Sequence, residues 1–191
     1  MDFNWLIPVI IALMVYACVY YYLKSRKVLP HVIDFMGPCI MIKTERVGFF
    51  DTLARPKKLL YAYATAGVLI TLLCAVVVTV MFLVSGILSL TVQTDPIPPQ
   101  DLLLIPGLNS YVPSTFAVWF ALFFAMIIHE AGHGIISRVE KMRVKSTGLL
   151  TLIIPIGAFV ESYGEDVEKA ALGSKLRMFA AGITNNMVVG T

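Results

Sequence analysis

The sequence predicts an α-helical polytopic membrane protein with about four transmembrane helices and a short membrane-embedded β or re-entrant segment. Of the 191 residues, 58% are hydrophobic, and the mean hydropathy is +0.82. Only 14% are Asp, Glu, Lys or Arg, which is about half of the share in an ordinary soluble domain. This composition excludes a water-soluble globular protein, a disordered tail and a nucleic-acid-binding module.

Two long uncharged runs predict the first two spans. The apolar run 3–23 suits a single crossing, which needs about 20 apolar residues. It follows no basic residue, ends in no small-residue cleavage site and is followed by Lys24, Arg26 and Lys27. That pattern is typical of a membrane anchor rather than a cleaved signal peptide. The uncharged run 59–94 predicts one long helix over about 62–90.

The third span is predicted to start near Ser114, a candidate N-cap directly after Pro113, and to reach about residue 136. Proline, glycine and asparagine residues interrupt the uncharged run 102–128 up to Pro113, so its first third is not expected to be helical. A final apolar run starts near Met178 and predicts the fourth span.

Residues 146–160 are apolar, but the stretch is too short to cross a membrane and contains Gly148, Pro155 and Gly157. Non-helical backbone at membrane depth is tolerated only where protein buries it or where it lines a wet cavity. We therefore expect a re-entrant loop or a β-hairpin here.

The basic residues predict the orientation of the spans. The segment 24–58 carries eight Lys and Arg residues, whereas the segment 91–113 carries none and has only Asp95 and Asp101. Cytoplasmic loops are enriched in Lys and Arg. We expect a multi-pass protein of the cell membrane with its N-terminus outside. The predicted regions are an N-terminal transmembrane helix (1–23), a basic cytoplasmic loop (24–58) and a membrane-embedded core (59–191).

The candidate chemistry lies on the third span, where residues 129–133 read His-Glu-Ala-Gly-His. On a helix, positions four apart differ by about 40°, so His129 and His133 face one point and suit two ligands of a tetrahedral zinc ion. Glu130 is rotated by about 100° and is placed to take a proton from water that attacks a carbonyl, while zinc acidifies that water and polarises the carbonyl. The alternative is a helix-end cluster of polar side chains that reach the cytoplasmic interface beside Arg138.

With these residues in view, the sequence resembles the site-2 protease family of intramembrane zinc metalloproteases, in particular its archaeal members. The similarity covers most of the chain from about residue 30 onward. It includes the zinc motif and further segments of the chain: Gly37-Pro38, residues 43–48 (Lys-Thr-Glu-Arg-Val-Gly), Ala54-Arg55-Pro56, residues 106–109 (Pro-Gly-Leu-Asn), residues 155–161 (Pro-Ile-Gly-Ala-Phe-Val-Glu) and residues 180–186 (Ala-Ala-Gly-Ile-Thr-Asn-Asn).

The resemblance implies a zinc endopeptidase that cuts transmembrane protein substrates within or near the bilayer. We expect its active site near the cytoplasmic face, because Arg138 follows His133 by only five residues, about 7.5 Å of helical rise. It further implies that the segment ending at Glu161 receives an extended substrate strand. Asn186, four residues after Gly182, matches the family's asparagine that steadies the substrate carbonyl or oxyanion. Many members have proline where this chain has Ile183, so that helix is expected to start differently here.

The third zinc ligand of the family is an aspartate in an Asp-Gly motif on a later span, and this sequence contains no Asp-Gly. We expect that ligand beyond Thr191, and we expect the 191-residue chain alone to bind zinc weakly and to cleave nothing. Two alternatives are a thermolysin-like membrane protease with Glu161 as its third ligand, and a non-catalytic metal-binding membrane scaffold or transporter. The sequence identifies neither the substrate nor an oligomeric state.

Overall fold

The structure is a computed structural model, and it describes residues 6–91, 98–102, 105–152 and 154–190. In chain order the elements are α1 (Leu6–Arg26), β1 (Ile33–Met36), β2 (Cys39–Thr44), α2 (Gly48–Leu53), α3 (Lys57–Thr91), a 3-10 turn (Pro99–Leu102), α4 (Phe116–Val139), β3 (Val144–Leu152), β4 (Ile154–Ser162), α5 (Gly164–Lys169) and α6 (Leu172–Gly190). The first residues of the predicted first span, Asp95 and Thr191 lie outside the described residues.

Two of the described helices, α3 and α4, are long and apolar enough to cross a membrane, and little of either is buried inside the protein. This agrees with the predicted membrane protein, although it does not show four spans. The expected helix over 62–90 is confirmed as α3, which begins at Lys57 and ends at Thr91. Helix α3 therefore includes Lys57 and Lys58 in front of the uncharged run.

The cap of α4 differs from the prediction. Thr115, not Ser114, is the N-cap, because its hydroxyl accepts the backbone N–H of Val118 at 3.4 Å. The hydroxyl of Ser114 instead accepts the indole N–H of Trp119 at 3.1 Å. At its other end α4 continues to Val139, a few residues beyond the predicted end.

The last helix starts earlier than its apolar run. Helix α6 begins at Leu172 rather than near Met178, because Ser174, Lys175 and Arg177 in its first two turns interrupt the apolar pattern. Arg177 in these turns makes a bidentate ion pair with Glu140 at 2.6 and 3.1 Å, and its guanidinium lies 4.2 Å from the ring centroid of Tyr61. The contact joins the start of α6 to the end of α4 and the start of α3.

The strands form one antiparallel sheet in the order β1-β2-β3-β4. The expected re-entrant or hairpin segment is a hairpin of β3 and β4, with a register irregularity between Leu150 and Thr151. The hairpin of β1 and β2 was not predicted: it lies in the basic segment 24–58 and pairs with β3 through β2. Among the described strands β4 is an edge strand, and α4 packs against it.

The tightly packed part of the protein lies around the C-terminal half of α4. Ile136, Val139 and Met142 are buried with Met178 and Ala181 of α6. The N-terminal half of α4 is outward-facing, since Phe116, Phe120 and Phe124 are exposed and stack along one face. The His-Glu-Ala-Gly-His segment begins the C-terminal half of α4, shortly before the buried Ile136.

Candidate metal centre

Two imidazoles converge on one point between α4 and α6. The rings of His129 and His133 have centroids 4.9 Å apart and planes inclined by 74°. A Cβ atom built at Gly182 of α6 would lie 2.5 Å from Nε2 of His129 and 2.6 Å from Nε2 of His133. Because Gly182 has no side chain, a space remains that the Nε2 atoms of both histidines face. The helical spacing of the two histidines predicts that they face one point.

Glu130 belongs to the same cluster. One ligand atom from each of His129, Glu130 and His133 lies within 4.8 Å of the others, and this is the group of metal-binding side chains found in the described part of the chain. One carboxylate oxygen, Oε2, accepts the backbone N–H of Val160 at 3.0 Å. The main chain of β4 therefore holds the carboxylate beside the histidines.

Helix α6 supplies a partner for the second nitrogen of each imidazole. Nδ1 of His133 lies 2.7 Å from the carbonyl oxygen of Met178. Because a carbonyl only accepts, the neutral imidazole in this contact has its proton on Nδ1 and its lone pair on Nε2. Nδ1 of His129 lies 3.2 Å from the side-chain amide of Asn186, whose Oδ1 is buried without a hydrogen-bond partner.

Small residues explain how the helices approach so closely. A Cβ atom at Gly132 would lie 2.7 Å from Nδ2 of Asn185 and 2.8 Å from the carbonyl oxygen of Ala181. The backbone of α6 thus packs directly on α4, as small residues allow in membrane helix pairs. At Gly134 the neighbour is an aromatic side chain, because a Cβ atom there would meet the ring of Phe50.

Two residues that the sequence reasoning missed connect the three helices at this level. The hydroxyl of Tyr63 on α3 donates to Oδ1 of Asn185 at 2.8 Å, and Nδ2 of Asn185 donates to the carbonyl oxygen of Ile128 at 3.0 Å. An asparagine in an apolar helix is a signal that could have identified Asn185. Nothing in the sequence distinguishes Tyr63 from the other tyrosines of the chain.

Glu161 lies outside the metal cluster. Its carboxylate accepts hydrogen bonds from Nζ of Lys145 at 2.7 Å and from the hydroxyl of Ser146 at 2.8 Å, both on β3. The ammonium group of Lys145 lowers the pKa of Glu161 below its ordinary value. These contacts give Glu161 a role in pairing the hairpin strands rather than in a thermolysin-like ligand set.

Two cavities border Val160. One, of about 470 Å³, is lined by His133 together with Ser137 and Ser162. The other, of about 230 Å³, is lined by Glu130 and by residues of β2, β3 and β4. The histidine side and the carboxylate side of the cluster therefore each border open space.

The donor set fits zinc. Imidazole nitrogens are standard zinc ligands, and a ligating histidine ordinarily donates its other N–H to a backbone or side-chain oxygen. The pair His133–Met178 has this arrangement, and the space over Gly182 lies where both Nε2 atoms point. Two such imidazoles beside a carboxylate on one helix are the arrangement typical of metallopeptidase sites.

Comparison with known proteins agrees with this class. Residues 117–191 match the model of Peptidase family M50, the site-2 protease family. A 70-residue segment is 36% identical to "Uncharacterized protein MJ0971" of the archaeon Methanocaldococcus jannaschii, and the match covers 36% of this chain and 19% of that protein. No solved structure matches the chain.

The family resemblance carried by the sequence motifs is thus confirmed over residues 117–191, and the archaeal relative is consistent with an archaeal member. The motifs before residue 117 lie outside this match. The match supports a membrane-associated metalloprotease, and peptidases of family M50 are zinc-dependent. The particular reaction of this chain is therefore inferred from its site.

Proposed function

We propose that this chain carries the catalytic centre of an intramembrane zinc metalloprotease that hydrolyses peptide bonds of transmembrane protein substrates. The observation that carries the proposal is the convergence of both Nε2 atoms over Gly182, with Glu130 in the same cluster. The cluster lies on a helix apolar enough to cross a membrane. Ionisable side chains are costly in such a helix and mark functional sites.

In the proposed reaction His129 and His133 hold zinc through Nε2, and Glu130 acts as the general base. When bound, zinc polarises the scissile carbonyl and acidifies the attacking water. Glu130 accepts the proton of that water. The N–H of Val160 occupies Oε2 of the carboxylate, which leaves Oε1 to receive the proton. A further carboxylate ligand, expected from the family resemblance, stays a prediction.

The edge of β4 is the proposed place for the substrate backbone. The N–H of Val160 bonds to Glu130 rather than to β3, so this edge of the strand faces the candidate centre. An extended peptide that pairs with such an edge is bound through its main chain, and its side chains are read only where pockets meet them. The two cavities that Val160 lines provide room for those side chains.

The proposed setting is the cell membrane, with α1, α3, α4 and α6 as four spans and the N-terminus outside. Arg138 follows His133 by five residues, about 7.5 Å of helical rise, and this supports a centre near the cytoplasmic face. The proposed regions are those of the sequence analysis: 1–23 as an anchor, 24–58 as a basic cytoplasmic segment and 59–191 as the core. Substrate and lipid are the proposed partners, and nucleic acid is not.

Substitution of Glu130 tests the proposal in the full-length protein. Glu130→Gln should retain zinc but abolish cleavage of a single-span substrate in detergent, because an amide does not take the proton of water. His133→Ala should lose both zinc and cleavage. Glu165→Gln is the matched control, since the same change at this exposed glutamate of α5 should preserve both. Wild-type cleavage by the Glu130→Gln protein would contradict the mechanism.

A further inference from the structure

Three positions of α6 spaced by four residues face the histidine pair. The carbonyl oxygen of Met178 contacts Nδ1 of His133, the space at Gly182 lies beneath both Nε2 atoms, and the amide of Asn186 contacts Nδ1 of His129. Residues four apart lie on one face of a helix. This face of α6 therefore contacts both imidazoles, in addition to any role toward a substrate.

The hydrogen-bonding requirements of His129 determine which atom of Asn186 must face it. A neutral imidazole carries one proton, so a histidine that ligates through Nε2 must carry that proton on Nδ1. The partner of Nδ1 must then be an acceptor. Nδ2 of Asn186 is a donor, and it suits only the tautomer of His129 in which Nε2 is protonated and unable to bind a metal.

The same amide contains an oxygen that lacks a partner. Oδ1 of Asn186 is buried without a hydrogen bond, whereas Nδ2 lies 3.2 Å from Nδ1 of His129. The two amide atoms exchange places by a half-turn of the side-chain amide, and they are distinguished by their hydrogen bonds rather than by shape. After this rotation Oδ1 accepts the Nδ1–H of His129, and Nε2 is left with its lone pair.

We propose that Asn186 is a positioning residue for the metal centre: its side-chain oxygen accepts Nδ1–H of His129 and holds the imidazole in the tautomer that binds metal through Nε2. The inference rests on the proposed zinc centre and assigns Asn186 a contact with a ligand rather than with the substrate. With this contact Nδ1 of His129 has an oxygen as its acceptor, as Nδ1 of His133 already has in the Met178 carbonyl. A role confined to the substrate carbonyl would leave zinc affinity unchanged.

The test measures zinc affinity of the full-length protein in detergent by competition with a chelating dye, beside substrate cleavage. Asn186→Leu keeps a similar volume and removes the acceptor, so zinc should bind about 10–100-fold more weakly. Asn186→Asp keeps the acceptor, and its affinity should stay within about threefold of wild type or increase.

Asn185→Leu is the matched control, because it makes the same substitution at the neighbouring asparagine. Asn185 bonds to Tyr63 and to the Ile128 carbonyl and contacts neither imidazole nitrogen. Its loss should destabilise the helix packing, while zinc affinity should fall far less than in Asn186→Leu. Equal losses at both positions would show a merely structural effect and overturn the inference.

Unchanged affinity in Asn186→Leu, or equal weakening in Asn186→Leu and Asn186→Asp, would also overturn it. Failure of the proposed function gives a different result. A wild-type protein that binds zinc and shows the expected ranking of variants, but cleaves no substrate, would support the role of Asn186 and contradict proteolysis. A wild-type protein that binds no zinc would overturn both proposals.

Discussion

Gly182→Ala is the substitution that tests the site geometry most directly. The added methyl group would lie 2.5 Å from Nε2 of His129, about 0.9 Å short of the 3.4 Å at which ordinary van der Waals contact begins. It would lie almost as close to Nε2 of His133. Zinc–ligand distances are held to about ±0.2 Å, so a displacement of this size is about four times the tolerance of the site.

We expect Gly182→Ala to lower cleavage by about 100-fold or more, since a misplacement of about 1 Å at a catalytic site can have that effect. Zinc binding should weaken in parallel, because the methyl group occupies the space on which both nitrogens converge. The helix itself should not suffer, because alanine is favoured over glycine in a helix by about 1 kcal/mol.

The control is Gly190→Ala on the same helix, where a new Cβ atom has no neighbour within 4 Å. This variant should bind zinc and cleave substrate as the wild type does. Zinc content by elemental analysis, a chelator competition and a cleavage assay measure the two proteins side by side. Wild-type zinc affinity in Gly182→Ala would refute the reasoning, because it would mean that zinc does not occupy the space over Gly182.

Further outcomes follow for two ion-paired glutamates and for the proposed topology. The side chains of Arg177 and Glu140 are only 14% and 7% exposed, so Arg177→Met should lower the free energy of unfolding by about 3–5 kcal/mol, measured by denaturant titration in detergent. The hydrogen bond from Arg177 lowers the pKa of Glu140. The stability from this pair is therefore present above the ordinary glutamate pKa and should be lost as the pH falls through the lowered pKa of Glu140. A free energy of unfolding that rises on acidification would contradict this prediction. Glu161→Ala should leave zinc affinity unchanged, and a large loss of zinc would restore the thermolysin-like alternative. In a protein freed of its own cysteines, an impermeant thiol reagent should label Ser110→Cys from outside the cell and Glu165→Cys from the cytoplasmic side, and the reverse pattern would contradict the proposed topology.

Hydrophobic runs predicted the helices better than they predicted the sheet. The runs behind α3 and α4 are long and uncharged, and both helices are found where they were expected. The hairpin of β1 and β2 lies in the basic segment 24–58. Basic charge predicts on which side of the membrane a segment lies, but it does not predict secondary structure. Its strands are short, and Lys43 and Asp34 on them form an ion pair at 2.7 Å, a contact between side chains that charge counting does not recognise.

The spacing of His129 and His133 was enough to predict that they face one point, because both lie on one helix. Their supporting partners were not predictable in the same way. The acceptor for His133 is a main-chain carbonyl at Met178, and every residue has such a group. The hydrogen-bond donor to Glu130 is the backbone N–H of Val160, and this contact depends on how β4 packs against α4. The sequence therefore indicates ligands and bases more readily than the main-chain groups that orient them.

The glycines of the site show why tertiary structure was needed to separate similar residues. Gly132 allows the backbone of α6 to reach α4, Gly134 admits the ring of Phe50, and Gly182 leaves room between two imidazoles. Each is a glycine in a helix, where the residue weakens the helix in the same way. Their roles are nevertheless linked, because the close approach at Gly132 brings α6 near enough for Gly182 to lie beneath the histidines. Helix packing and the candidate metal centre thus depend on the same contact between α4 and α6.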